Sequence, residues 1–102
     1  MGNSQLVLAM IGHFQTQAAA DIAAIIKAAD SADSIVIAKS AHSLKGAADY
    51  LAAQPLRHAA AKVERLARET PLSDIAPAIA ELRRRLDECT AELALVRRRL
   101  QP

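Results

Sequence analysis

The stretch "KSAHSLKG", residues 39–46, gathers the residues with most chemical potential in this chain. Lys39, His42 and Lys45 are three apart, so on a helix their side chains reach the same space. An imidazole can be a nucleophile as well as a proton carrier near neutral pH. Two neighbouring ammonium groups disfavour a further positive charge on its ring. Such a site is suited to an imidazole that takes up an anion. Gly46 stands four residues after His42, directly beside it on a helix surface. Glycine inside a helix costs about 1 kcal/mol against alanine, and this chain uses alanine freely elsewhere. No turn or cap explains Gly46. A missing Cβ explains itself if something must approach the imidazole closely.

Other chemistries find less support. His13, His42 and His58 fall on three different helical segments, with no His/Glu pairing four residues apart that would suit zinc. His13 and His58 therefore count as ordinary surface residues, and neither a metal nor a cofactor is expected. Cys89 is the one cysteine, which excludes an internal disulfide; it suits a small apolar core position. No glycine-rich nucleotide loop occurs. "MGNSQL" opens like an acylation signal but has Leu6 where that motif needs Ser or Thr. The net charge is only +2. The arginine triplets at 83–85 and 97–99 alternate with Glu and Leu, and adjacent arginines on a helix point in three directions. A basic helical nucleic-acid-binding domain is thus a minor alternative. A non-catalytic helical bundle that only binds another protein is the other.

The elements that must carry these residues are helical. The chain has 102 residues, enough for one domain with one core, and 52% of them are apolar, many alanine. Phe14 and Tyr50 are the only aromatics, so the core must come from Leu, Ile, Val and Ala. Three glycines are too few for a turn-rich β fold. Four segments are expected, at about 4–29, 33–53, 55–68 and 74–100. In the first, Val7, Met10, Ile11, Phe14, Ala18, Ile22 and Ile25 form one apolar stripe. "DSADS" at 30–34 supplies stop and cap chemistry. Pro55 ends the second segment and suits the first turn of the third, which carries Leu56, Ala59, Ala60, Val63 and Leu66. Asp74 as N-cap would put Pro77 in the first turn of the fourth. There Ile75, Leu82, Cys89 and Val96 are spaced by seven, as are Ile79, Leu86, Leu93 and Leu100, giving a heptad seam that reads as a bundle helix within one domain, with an intermolecular coiled coil as the lesser alternative. Short connections make neighbours antiparallel, so the expected fold is an all-α, up-down four-helix bundle, monomeric.

On a helical wheel of the second segment, Ile37, Ala41, Leu44, Ala48 and Leu51 cluster within roughly ±40° of one direction. His42 points about 140° away from it, with Ile35, Ala38, Lys45, Gly46 and Asp49 on its side.

At this point "AHSLKGAA", residues 41–48, resembles the His-x-x-Lys-Gly signature of histidine-containing phosphotransfer (HPt) domains. Ile37 and Ala41 before the histidine, Leu44 after it and "LRHAAAKVERLA" at 56–67 agree with that family's wider pattern. One departure is Ala52, in a position where the family often has glycine. The resemblance implies a phosphorelay carrier without a nucleotide site, not an enzyme in its own right. His42 would accept a phosphoryl group on Nε2 from a receiver-domain aspartate and pass it to another receiver. Lys45, with Lys39, would offset charge on the phosphoryl oxygens. Gly46 would give access, and Ile35, Ala38, Lys39 and Asp49 would lie in the docking surface. The implied partners are receiver domains of response regulators and a hybrid sensor histidine kinase, with Mg²⁺ supplied by the receiver. The implied place is the cytoplasm, or the cytoplasmic end of a membrane-bound kinase. A sensor-kinase dimerisation helix also bears a phospho-accepting histidine, but there an acidic residue and a proline follow it; here Ser43 follows, and no proline comes before Pro55.

Overall fold

The computed structural model describes residues 2–69 and 75–101. They form four helices: α1 (Gly2–Asp30), α2 (Ser34–Tyr50), α3 (Gln54–Arg68) and α4 (Ile75–Leu100). Asp74, expected as the N-cap of α4, lies outside the described residues; Pro77 is the third described residue of that helix. Each helix packs against its neighbours in chain order, and α1 closes the ring on α4. The fold is an antiparallel four-helix bundle, and no described helix is long and apolar enough to cross a membrane.

The predicted stripes supply the core. Ile11, Phe14, Ala18 and Ile25 of α1 are buried, as are Ile37, Ala41, Leu44 and Ala48 of α2. Leu56, Ala60 and Val63 of α3 meet Ile79, Leu82 and Leu86 of α4 in the same cluster. Alanine at so many of these positions lets the backbones approach closely.

The two described turns share one device. At the end of α1, Asp33 N–H donates to Ala28 O (2.9 Å) and Ala32 N–H to Ala29 O (3.2 Å). At the end of α2, Ala53 N–H donates to Ala48 O (2.9 Å) and Ala52 N–H to Asp49 O (3.0 Å). Both are Schellman closures, which need a left-handed residue after the cap. Ala32 (φ 53°) and Ala52 (φ 56°) fill that place, where glycine is the usual choice. This corrects the expected end of α2. The helix stops at Tyr50, three residues before Ala53, because Ala52 reverses the chain before Pro55 can. Asp33 then caps α2, its side chain accepting from Val36 N–H at 3.2 Å. Pro55 lies in the first turn of α3, as its missing N–H allows.

The arginine run at 83–85 is largely neutralised within its own helix. Arg84 and Arg85 both pair with Glu81 and Glu88, one turn before and after them.

Candidate functional site

α2 carries the histidine and α3 supplies its partner. The His42 side chain is 65% exposed, whereas the Glu64 side chain beneath it is 11% exposed. Glu64 sits on the edge of the apolar stripe of α3, between Ala60 and Ala67, so its stem packs in the bundle and its carboxylate emerges at the α2–α3 seam. His42 Nδ1 lies 3.0 Å from Glu64 Oε2. A carboxylate can only accept, so Nδ1 carries the hydrogen and donates it. In the neutral ring that leaves the lone pair on Nε2.

Glu64 collects two more donors. Lys45 Nζ lies 2.8 Å from Oε1, and Arg68 Nη2 donates to Oε2 at 2.8 Å. Burial pushes the carboxyl pKa up, but hydrogen bonds from Lys45, Arg68 and His42 outweigh it and hold the group down at about 2. Glu64 is therefore ionised throughout the physiological range. The picture drawn from α2 alone, an imidazole among lysines, lacked this anion. Lys45 is turned toward Glu64, while Lys39 is exposed.

Beside His42 is an open hollow of about 460 Å³, lined by Ser34, Ile35, Ala38, Lys39, His42, Ala67 and Arg68. Its cations come from both helices, Lys39 from α2 and Arg68 from α3. Ile35 is 78% exposed at its edge. Ala38 does not stand on the open face expected for it: it is 7% exposed and belongs to the core cluster. α2 is flanked by α1 and α3 both, so its buried arc is wider than a single stripe, and Ala38 falls under α3. Asp49 is exposed and pairs with Arg57 at 3.2 Å. A Cβ added at Gly46 would meet nothing within 4 Å, so nothing within the fold asks for glycine there.

A second buried carboxylate fixes the other flank of α2. Asp21 of α1 accepts from Ser43 Oγ at 2.8 Å and from Gln17 Nε2 at 3.2 Å. Ser43 is the residue after His42, so this bond helps set the rotation of α2 that presents the imidazole. Sequence reasoning assigned no role to Glu64, Arg68 or Asp21. The available signal was a carboxylate on or beside an apolar stripe, since an acid placed there needs a buried partner.

No curated protein and no solved structure matches the chain. The family model described as Hpt domain matches residues 9–94, a span that contains His42, Glu64 and all of α2 and α3. The chain therefore belongs to the Hpt domain family, whose helical bundles serve histidine phosphotransfer in phosphorelays.

Proposed function

We propose that this chain is a phosphorelay carrier and that His42 is its phospho-accepting residue. The observation that carries this reading is the Nδ1–Glu64 hydrogen bond on an exposed ring, which leaves Nε2 open and nucleophilic. In the forward step the Nε2 lone pair attacks the phosphorus of a receiver's aspartyl phosphate. The P–O bond to the aspartate breaks, and its electron pair stays on the aspartate carboxylate. The ring keeps its Nδ1 hydrogen and gains positive charge as the P–N bond forms. Glu64 stabilises that charge through the same hydrogen bond, which strengthens as the charge develops. The return step to a second receiver runs the same sequence backwards.

Lys45 and Lys39 offset the charge of the phosphoryl oxygens in this scheme, and Arg68 joins them because it lines the hollow beside His42 with Lys39. Mg²⁺ belongs with the receiver; the carboxylate bonded to His42 is already covered by three donors. Gly46 gives the receiver close access, and exposed Ile35 with Asp49 forms part of the surface it meets. The partners are receiver domains of response regulators and of a hybrid kinase. The test is incubation with a panel of phosphorylated receivers and tracking of the label. We expect uptake by the native chain and none by His42→Gln with its helical spectrum intact. Equal labelling of His42→Gln would reject the assignment.

A further inference from the structure

The heptad seam of α4 is used unevenly. Ile75, Ile79, Leu82 and Leu86 are buried, Cys89 and Leu93 only partly, and Val96 is 36% exposed. The cause is a difference in helix length. α1 has 29 residues and α4 has 26, but α2 has 17 and α3 has 15. At 1.5 Å per residue, α1 outruns α2 by about 18 Å. α2 starts level with the end of α1, so the excess lies at the Gly2 end. On α4, Gln54 at the start of α3 lies beside Cys89 and Glu92, so the helix beyond has no α3 against it. The first ten residues of α1 and the last of α4 thus form a two-helix arm.

The arm continues the core pattern without the two helices that would cover it. Leu6, Met10, His13 and Gln17 lie on one stripe of α1. Its upper members meet α2 in an apolar hollow of about 540 Å³, lined also by Phe14, Ala47 and Tyr50. Leu6, one turn below, is 60% exposed. Residues 2–12 contain no charged side chain, which is unusual for a solvent-facing helix.

We propose that two copies of this chain pair through their arms, antiparallel about a two-fold axis, with Leu6 of each over the hollow of the other. Two arms together make up four helices, each supplying the two that the other lacks. Charge selects the second copy and the antiparallel sense. Arg98 and Arg99 are exposed at the arm's tip, and Glu92 is exposed at its base. Antiparallel overlap sets tip against base, whereas parallel overlap would set arginines against arginines. His42 lies two turns above the base, so the pairing leaves it open. The monomer expected from the sequence assumed that one chain uses the whole seam.

Sedimentation velocity on the full chain tests this. The short arm predicts a dimer that half-forms between about 10 and 300 µM and weakens with salt. Leu6→Glu should weaken it by roughly a hundredfold, since each dimer loses two apolar contacts. Leu6 is exposed, so the variant should keep its helical spectrum. With Cys89→Ser, the pair Leu6→Cys and Tyr50→Cys should form disulfides between copies. A chain that stays monomeric to about 1 mM overturns the proposal and leaves the face to another partner. A dimer that Leu6→Glu leaves unchanged overturns it as well.

Discussion

Glu64 holds His42 from below: its Oε2 is 3.0 Å from His42 Nδ1, while the His42 side chain as a whole is 65% exposed. One bond between two helices thereby fixes both the tautomer of the ring and the direction of its Nε2 edge. Replacing Glu64 by Gln tests this at constant shape. The amide can turn its NH₂ toward Nδ1 and favour the tautomer with hydrogen on Nε2. Phosphoryl transfer from a receiver should slow about tenfold or more, as expected for loss of a charge-assisted hydrogen bond. The imidazole ¹⁵N shifts should report a larger Nε2–H population. An unchanged rate would remove Glu64 from the mechanism.

The same carboxyl predicts a pH dependence of stability. Its pKa falls from an ordinary 4.5 to about 2 in the fold. A depressed carboxyl stabilises the native state above its unfolded pKa, and that contribution fades as pH falls through the folded value. Native stability should therefore decline between about pH 4.5 and pH 2, and Glu64→Gln should flatten that decline. Urea titrations across this range measure it; parallel curves for the two proteins would contradict it.

The bundle was legible because burial follows the helical stripes. Ile11, Phe14, Ile37, Leu44, Leu56 and Leu82 are each where a 3.6-residue period puts them. The outward aim of His42 followed from the same wheel. Glu64 was not legible as its partner, because a wheel of α2 carries no information about what α3 places opposite. Ala38 was misplaced for a related reason. It lies about 100° from the centre of the buried face, which is solvent for a helix with one neighbour and interior for a helix with two. The end of α2 was set three residues late because a left-handed alanine leaves no mark in the sequence.

Those alanines are a store of strain. A left-handed alanine costs about 1–2 kcal/mol, partly offset because glycine loses more freedom on folding. Ala52→Gly and Ala32→Gly should each stabilise the bundle by about 0.5–1 kcal/mol. Ala52→Val should destabilise it by more. Transfer rates should stay as they are in both glycine variants, since neither residue touches His42. A loss of stability in Ala52→Gly would refute the strain argument.

Gly46 separates stability from access. With open space around its missing Cβ, Gly46→Ala should stabilise α2 by up to about 1 kcal/mol. If the gap serves an approaching receiver, the stabilised protein should transfer more slowly. Gly46→Gln should be slower still, because the longer side chain covers the edge of His42. Melting temperature and transfer rate, measured together, decide the matter. Native transfer by Gly46→Gln would end the access explanation.

Lys45→Ala removes charge without adding bulk. It should leave receiver docking intact and shorten the lifetime of the phosphorylated chain, because a cation is lost beside the phosphoryl oxygens. The decay of label at fixed pH gives the lifetime. Decay at the native rate, with native transfer, would mean that Lys45 serves only Glu64.

The most direct test of the whole account is the site of the P–N bond. The chain, labelled with ¹⁵N in histidine and charged by a phosphorylated receiver, should show ³¹P coupling to Nε2 of His42 and a hydrogen still on Nδ1. That result ties the acceptor, its tautomer and the Glu64 bond together in one spectrum. Phosphorus on Nδ1 of His42, or on His13 or His58, would contradict it.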